Sequence, residues 1–459
     1  MLMKFSTVLL CASIAALPAS MHAAEYATAG NGSNYSFESL SAISGSNVTK
    51  TAPGVFEISD DLTIAEGDTF TLDKGATIKM ASGVYIYLQG TSVMDGGDQR
   101  TTFTRLNDDA TPAGIRATSS DTFKVQNVDF EYIGLSDYSA KGAVITDCSF
   151  TKSNGKISST GAITCGTSES AYVISGCSFK ECAVPAVGTG ANTFCDLLIE
   201  NCELYDNNSD NSNKPQLNLT VGGDKPVVVR GCTITGTGRD KVGGIAVSNL
   251  LVAPGSNKVL IEKNTISDNR YGITATGPLY IEVRDNVLLN NNHDPNPMAG
   301  GSGISLAGYN YGQSGIISGN HIEGHLWGIT LIQCDDINCG QVDNPDSPGG
   351  NVFKNNGNGG QAYDLYNNGI NTVFAQLNTW SVPEQTEAMI ETVISHKKDD
   401  PSLGEVIFMP AASNNAITID ANDTEASYFT LQGVRVAQPE SGNIYVVRKG
   451  DKAFKALVK

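Results

Sequence analysis

The stretch VISGCSF (173–179) places a cysteine inside a short apolar frame, and the same frame recurs along the chain. With cysteine it appears as VITDCSF at 144–150, LIENCEL at 198–204 and VVRGCTI at 228–234. With asparagine it continues as IEKNTI at 261–266, VRDNVL at 283–288, ISGNHI at 317–322 and the looser PGGNVF at 348–353, and VQNVDF at 125–130 precedes the series. The frames recur on average every ~28 residues, a period typical of a stacked solenoid.

Each repeat consists of short strands and turns. A second strand that enters after a glycine follows several frames, at Gly244-Ile245, Gly272-Ile273, Gly303-Ile304 and Gly328-Ile329. These units lack a helical periodicity, so we predict a β-solenoid whose coils pair with the coils above and below at roughly 4.8 Å. One amphipathic segment, 386–398, predicts a helix that helps to cap the last coil.

The residue shared by the frames predicts an inward ladder along the solenoid axis. Cysteine fills such a position as a small apolar group, and asparagine fills it by bonding the amides of its neighbours. Disulfides between adjacent rungs are disfavoured because stacked Cβ vectors run parallel. The predicted rungs are Cys148, Cys177, Cys202, Cys232, Asn264, Asn286, Asn320 and Asn351.

The net charge and the first 24 residues restrict the partners and the location that the protein can have. The chain has 459 residues and a formal net charge of −18, which argues against nucleic acid and anionic membranes as partners. Residues 1–24 combine Lys4, a short apolar core and small residues, so they predict a secretory signal peptide and not a membrane span. We therefore expect a secreted or cell-surface protein without a transmembrane segment, made of a solenoid domain (25–412) and a small β-module (413–459).

The solenoid frames, the glycine-isoleucine strands and the opening LTIAEGDTFTLDKGATIKM (62–80) resemble the right-handed parallel β-helix proteins of the pectate-lyase-like superfamily. The resemblance covers roughly residues 55 to 410 and implies an all-β fold of that type. It leaves the activity open, because the fold carries lyases, hydrolases, esterases and adhesins.

The tail YFTLQGVRVAQPESGNIYVVRKGDKAFKALVK (428–459) resembles the C-terminal sorting module of Bacteroidota proteins exported by the type IX secretion route. The matching parts are Leu431-Gln432-Gly433, Arg435-Val436, Pro439 and the stretch 442–446. The resemblance implies contact with an export machinery and delivery to the cell surface or beyond, and it leaves open whether the tail is cleaved.

Asp335 and Asp336, in QCDDINCG, are candidates for acid–base catalysis or calcium binding. Polygalacturonases of this fold use such a pair with a histidine and a basic strand, and the sequence shows neither companion. Asp343 is a further calcium candidate, and calcium is the one cofactor that these carboxylates suggest. A solvated acidic loop is the alternative. Cys334 and Cys339 flank the pair, either as a disulfide or as free thiols.

His293-Asp294, in a long insertion between coils, is a candidate proton relay, with a solvated loop as the alternative. Trp327, Tyr309, Tyr311 and His325 are candidates for a surface that stacks on sugar rings, with packing at the coil corners as the alternative.

These patterns favour a monomeric surface protein that binds a polysaccharide or surface glycan through loops on one solenoid face. The alternative is a polysaccharide lyase or glycoside hydrolase that uses the same groove. Because the chain is acidic, a neutral glycan, or an acidic one bridged by calcium, is the better ligand hypothesis. The sequence does not show a complete catalytic constellation, so enzyme activity stays open.

Overall fold

A computed structural model describes residues 25–154, 160–253, 255, 257–412, 417–419, 426–430, 435–440, 444–449 and 452–458. Residues 25–412 wind through three long sheets, here named A, B and C, as a right-handed parallel β-helix, which confirms the predicted fold class. Each coil passes through sheet B, then sheet C, then sheet A, and a further turn returns it to sheet B. The predicted signal peptide, 1–24, lies outside the described residues.

The three sheets carry nearly all of the regular structure. Sheet A has fourteen strands: Tyr26–Ala27, Leu62–Ile64, Tyr85–Leu88, Gly114–Ala117, Leu135–Asp137, Ile163–Cys165, Val187–Thr189, Leu217–Thr220, Ile245–Ser248, Ile273–Thr276, Ser302–Ala307, Trp327–Ile332, Leu365–Asn368 and Ile394–Ser395. Sheet B also has fourteen strands: Asn34–Tyr35, Thr69–Thr71, Thr91–Asp95, Phe123–Gln126, Gly142–Thr146, Ala171–Ser175, Asp196–Glu200, Val227–Arg230, Lys258–Glu262, Tyr280–Arg284, Ser314–Ser318, Asp336–Asn338, Val373–Phe374 and Val406–Ile407. Sheet C has thirteen strands: Val48–Ala52, Val55–Ile58, Thr77–Met80, Thr101–Arg105, Val128–Glu131, Ser149–Thr151, Ser178–Lys180, Glu203–Tyr205, Thr233–Thr235, Thr265–Ser267, Val287–Leu289, His321–Glu323 and Val352–Lys354.

The core is built from columns of in-register side chains. Successive residues of a strand point to opposite faces, so one residue of each pair faces inward and stacks on its equivalent one coil away. In sheet C this column contains Phe103, Phe130, Phe150 and Phe179, whose successive ring centroids lie 5.6, 4.7 and 5.1 Å apart. The apolar residue that follows each cysteine or asparagine of the repeated frame therefore belongs to the core.

The shared residue of the frame lies at the corner between sheets B and C. Asn264 donates through Nδ2 to Oδ1 of Asn286 (2.9 Å), and Asn286 donates in the same way to Asn320 (3.0 Å). The series continues through Asn351 to Asn378, again at 3.0 Å for each step. The sequence frames do not include Asn378, which lies in AQLNTW (375–380).

The cysteines of this corner are buried free thiols. Each donates its Sγ–H to a backbone carbonyl, as Cys232 does to the carbonyl of Arg230 at 3.4 Å. The thiol and amide parts of the corner meet where the backbone N–H of Cys232 donates to Oδ1 of Asn264 at 2.9 Å.

A second inward ladder occupies the corner between sheets C and A, and the sequence analysis missed it. Its rungs lie five residues after those of the first ladder, at Cys182, Asn207, Asn269, Asn291, His325 and Asn356. Asn291 accepts at Oδ1 from the backbone N–H and the side-chain Nδ2 of Asn269, both at 3.1 Å. Where the coil that follows Cys232 lacks an asparagine, Nε2 of Gln216 donates to Oδ1 of Asn269 at 2.9 Å.

The N-terminal end of the solenoid is closed by the short helix Phe37–Ser41, whose N-cap is Ser36. Phe37 is fully buried and packs edge-on against Phe70, with ring centroids 5.1 Å apart. This helix covers apolar side chains that the first coil would otherwise expose.

The helix predicted over 386–398 is wrong in its extent. The helix covers only Glu387–Ile390 and continues as a 3-10 turn, Glu391–Val393. Ile394–Ser395 then joins sheet A beside Leu365–Asn368, because pairing with the preceding coil satisfies backbone groups that a longer helix would leave exposed at the sheet edge. Gly357–Asn358 and Gln361–Ala362 form a small hairpin near this end.

The C-terminal segments form a separate five-stranded sheet from Ile417–Ile419, Ala426–Phe429, Arg435–Val436, Ile444–Lys449 and Lys452–Val458. Tyr428, Tyr445 and Val447 form a small buried cluster in it. The assignment of 413–459 as a sorting module stays a prediction, and Leu431-Gln432-Gly433 lies outside the described residues. Within the described part of the chain, every helix is too short or too polar to cross a membrane.

Candidate functional site

A groove on the outer face of sheet A is the candidate functional site. Its floor is a row of side chains in register on four consecutive coils: Thr274, Ser305, Thr330 and Tyr366. The row presents hydroxyl groups one coil apart, at roughly 4.8 Å. The cavity above it has a volume of about 270 Å³.

The insertion 290–301 forms one wall of this groove through Pro297, Met298, Ala299 and Gly300. Trp327 holds the wall by donating its indole Nε1–H to the carbonyl of Pro297 at 2.9 Å. The insertion is thereby fixed against the strand that begins at Trp327 by a contact within the chain.

Arg270 holds the same insertion from the other side. Its guanidinium donates to the carbonyl of Ala299 and to Oδ1 of Asn213 (2.6 Å), and its Nε lies 3.4 Å from Oδ2 of Asp294. The side chains of Arg270 and Asp294 are 16% and 19% exposed. Charge-assisted bonds with this degree of burial are stronger than surface ion pairs and keep the wall in place.

Aromatic rings define the apolar side of the groove. The Trp327 ring lies over Tyr363, with centroids 4.6 Å apart, and stacks on Tyr366 at 5.5 Å with an interplanar angle of 27°. Trp327 was a candidate from the sequence, whereas neither tyrosine was. Both tyrosines lie in AYDLYNN (362–368), a coil that lacks the glycine-isoleucine signal, so its strand was not aligned with the others.

The groove lining does not contain any aspartate, glutamate, histidine, lysine or arginine among the described residues. Burial raises the pKa of Tyr271 to about 12, and burial, with a smaller effect of Asp400, raises the pKa of Tyr366. These phenols therefore stay protonated near neutral pH and act as hydrogen-bond donors and acceptors. Such a lining can bind polyhydroxylated ligands, and it lacks a general base.

Tyr309 and Tyr311 lie apart from Trp327. Both are exposed and belong to the turn after strand Ser302–Ala307, which leads from sheet A to sheet B. Trp327 pairs with Ser302, at the opposite end of that strand. A strand of this length separates the two positions by roughly 16 Å, so the three rings do not form one stacking surface.

His325 lies inside the solenoid as a rung of the second ladder and is 1% exposed. Its Nδ1 accepts from the backbone N–H of Asn291 at 3.2 Å, and its Nε2 lies 3.1 Å from the carbonyl of Leu288, to which it donates. Burial lowers the pKa of His325 to about 4, so the ring is neutral near pH 7. This placement keeps it away from a ligand in the groove.

His293 and Asp294 face different partners. Nε2 of His293 lies 3.9 Å from Oδ1 of Asp268, whereas Asp294 pairs with Arg270. Both residues belong to the insertion that forms the groove wall, but neither contributes to the lining. The structure therefore gives Asp294 an anchoring contact and does not join the two side chains in a relay.

Asp335 and Asp336 are exposed at the corner between sheets A and B, where their backbone N–H groups donate to the carbonyl of Gln313. Asp343 is exposed in the following turn, with φ +63°. Cys334 and Cys339 are free buried thiols, and Sγ of Cys334 donates to Oε1 of Gln313 at 3.2 Å. Calcium binding by these aspartates stays a prediction.

Glu391, His396 and Asp399 form the one group of three possible metal ligands that lie close together within the described chain. The histidine is already bonded at both ring nitrogens. Nδ1 accepts from the backbone N–H of Val406 at 2.9 Å, and Nε2 lies 2.9 Å from Oε1 of Glu391. These bonds explain why the three residues lie together, because they hold the last coil in place.

No family model matches the chain, and a search of curated proteins does not find a match either. Solved structures similar in shape include the periplasmic alginate epimerase AlgG, at 12% identity and a TM-score of 0.49, covering 82% of this chain and 83% of that one. Two variants of the same epimerase give 13% identity with a TM-score of 0.46 (82% and 84% covered) and 12% identity with a TM-score of 0.47 (82% and 83% covered).

Proposed function

We propose that this protein binds an uncharged stretch of a polysaccharide in the groove on sheet A. The observation that carries the proposal is a groove that combines a row of hydroxyl-bearing residues with stacked aromatic rings, and whose described lining residues carry no ionised side chain. Hydroxyls can bond sugar hydroxyls, while an aromatic face packs on the apolar C–H face of a sugar ring.

Binding without chemistry is favoured over lyase or hydrolase activity because the described residues that line the groove do not include an acid–base pair. Glycoside hydrolysis commonly uses two carboxyl groups across the scissile bond. The predicted carboxylates Asp335 and Asp336 lie outside the groove lining, and the phenols that line it have raised pKa values.

The two tryptophans of the chain make a direct test available. Trp327 lines the groove, whereas Trp380 is 2% exposed and stacks on Phe353 with centroids 4.9 Å apart. A ligand in the groove should therefore change the intrinsic fluorescence of Trp327 alone. The protein would be titrated with a panel of neutral oligosaccharides, and the best ligand would be tested on Trp327→Ala by calorimetry.

We expect Trp327→Ala to weaken binding about tenfold or more, because it removes both the stacking face and the bond that holds the wall. Tyr311→Ala is the matched control, since it removes an exposed ring from the turn at the far end of strand Ser302–Ala307, and it should bind as the wild type does. Equal binding by Trp327→Ala and the wild type would refute the proposal that the ligand binds in this groove. New reducing or unsaturated ends in the incubated glycan would refute binding without chemistry.

We further propose that the protein is exported to the cell surface or medium. The signal-like residues 1–24 and the tail that resembles a sorting module support this proposal. Immunodetection in cell fractions of the native host, with and without residues 413–459, would test it. Retention of both forms in the cytoplasm would contradict it.

A further inference from the structure

Arg116 differs from every other arginine of the solenoid. Six of the seven solenoid arginines have a guanidinium nitrogen between 2.6 and 3.4 Å from a carboxylate oxygen: Arg100, Arg105, Arg230, Arg239, Arg270 and Arg284. Arg116 makes neither a hydrogen bond nor an ion pair with any described residue, and its Nε is buried without a partner. In a chain of net charge −18, a guanidinium without a carboxylate partner requires an explanation.

Two tyrosine rings hold this guanidinium. Its Cζ lies 5.1 Å from the ring centroid of Tyr85 and 5.3 Å from that of Tyr138. Tyr138 is 38% exposed, and Tyr85 packs on Tyr87 with centroids 5.1 Å apart. Cation–π contacts fix the orientation of the planar guanidinium but leave its N–H donors unused.

Two carboxylates whose charges act on Tyr87, as that of Arg116 does, are bonded to other groups. Asp61 accepts from the backbone N–H of Tyr85 at 2.7 Å, and Glu25 accepts from the hydroxyl of Thr63 at 3.1 Å. Asp137 lies one coil away from Arg116 but is fully buried on the inward side of its strand. The buried Nε of Arg116 is closed to an external group, whereas its two terminal nitrogens have no partner among the described residues and remain available to a group from outside the protein.

Arg116 lies on the same outer face as the groove. It pairs in register with Ser136, and the same column leads through Thr164, Gly188, Asn218 and Ala246 to Thr274 on the groove floor. Six coil steps separate Arg116 from Thr274, which corresponds to about 29 Å along the axis. The two sites are therefore distinct but lie on one face.

We propose that Arg116, Tyr85 and Tyr138 form a second binding site that takes an oxyanion carried on a sugar ring, either a carboxylate or a sulfate ester. The two terminal nitrogens of the guanidinium match the two oxygens of such a group, and the partly exposed Tyr138 lies beside them at the surface, where a sugar ring could contact it. The site does not depend on the groove, and its loss should leave the Trp327 fluorescence response to a neutral ligand unchanged.

Calorimetry on the full chain tests this site with four probes: a short galacturonate oligosaccharide, its methyl ester, a sulfated oligosaccharide of the same length and inorganic sulfate. We expect one of the two acidic oligosaccharides to bind, more weakly as salt rises, and the methyl ester and inorganic sulfate to bind at least about tenfold more weakly. The tighter of the two acidic probes identifies the oxyanion.

Arg116→Gln should weaken binding of that probe about ten- to a hundredfold, because charge-assisted bonds are lost. Arg116→Lys keeps the charge but loses the planar arrangement of two N–H donors. Its affinity should therefore lie between those of the wild type and Arg116→Gln. Arg230→Gln removes the same charge from a paired arginine on sheet B and should bind within about twofold of the wild type.

Three outcomes would overturn the proposal: equal binding by Arg116→Gln and the wild type, equal binding of the acid and its methyl ester, or equal binding of inorganic sulfate and the sulfated sugar. If Arg116→Gln unfolds at a clearly lower temperature than the wild type, the affinities of Arg116→Lys and Arg230→Gln are compared instead. If Arg230→Gln lost as much affinity as Arg116→Gln, the site would also be refuted, since binding would then respond to net charge alone.

Discussion

From Cys148 to Cys232 the inward corner between sheets B and C is filled by thiols, and from Asn264 to Asn378 the same corner is filled by amides that bond one another. The backbone path is alike in both halves, because the strands on either side stay parallel and in register. The difference therefore lies in the interactions that fill the corner. Thiols fill space and bond weakly, whereas asparagines such as Asn264 and Asn286 satisfy backbone groups of the preceding coil and bond the side-chain amide of the next.

Buried ionisable groups also differ between the amide half and the coil that precedes the thiol half. In the amide half, His325 is buried but bonded at both ring nitrogens. In the coil before Cys148, Asp137 is fully buried, and neither carboxylate oxygen has a hydrogen-bond partner among the described residues. Four substitutions measure how much these differences contribute to stability.

The largest effect is expected for Asn286→Ala. Asn286 donates to Asn320 and to the carbonyl of Ile261, and it accepts from both nitrogens of Asn264. Removing it leaves the backbone N–H and side-chain amide of Asn264 and the carbonyl of Ile261 unsatisfied on the preceding coil, so we expect the free energy of unfolding to fall by about 4 kcal/mol. Denaturant titration followed by circular dichroism measures this. A loss below about 1 kcal/mol would show that the amides only fill space.

His325 should make stability fall in acid. Its folded pKa, about 4, lies below the usual value of 6.5, so the unfolded chain takes up the proton first. Stability is then lost as the pH falls from about 6.5 to about 4, by up to about 3.5 kcal/mol. His325→Asn places the residue found on adjacent rungs and should abolish this loss in a series of thermal scans. An unchanged pH profile would contradict the assignment.

Asp137 should act in the opposite direction. Burial raises its folded pKa from 3.8 to about 6, so the native state holds the proton longer than the unfolded chain. Stability is therefore lost as the pH rises from about 3.8 to about 6, by up to about 3 kcal/mol. Asp137→Asn should unfold at a higher temperature than the wild type at pH 8 and show little gain at pH 4. A gain of equal size at both values would exclude ionisation as the cause.

The smallest effect is expected for Cys177→Ala, the counterpart of Asn286→Ala in the thiol half. Sγ of Cys177 donates to two carbonyls at 3.5 and 3.6 Å, which are long contacts, and its removal leaves a small void. We expect a loss of about 1 kcal/mol in the same denaturant titration. If Cys177→Ala and Asn286→Ala proved equally destabilising, the contrast between the halves would not be energetic.

The repeat frame made the solenoid predictable, because each coil must bury the same positions against the next. The frame marked the first ladder and the core phenylalanines, and the glycine-isoleucine pairs marked sheet A. The second ladder was also present as an asparagine or cysteine five residues later, but its rungs are interrupted by Ser153 and Thr237. Asn378 was missed because its coil diverges from the frame.

The groove was only partly predictable. Trp327 was identified, but its partners Tyr363 and Tyr366 come from the next coil, and Tyr309 and Tyr311 proved to lie at the far end of the strand. Sequence distance does not say which end of a strand a loop residue reaches. The extent of the terminal helix was predicted wrongly for a related reason. Ile394 pairs with Leu365 at the edge of sheet A, and the local sequence does not reveal this pairing.

The sequence by itself determined the architecture. Every repeat has apolar residues at the same positions, and these can be buried only if the coils stack on one another. The tertiary structure decided the chemistry of the surface. It placed uncharged side chains from separate coils around one groove, and it left Arg116 without the carboxylate partner that the other solenoid arginines have. Both features arise between coils about 28 residues apart along the chain, a separation over which pairing depends on register and loop path.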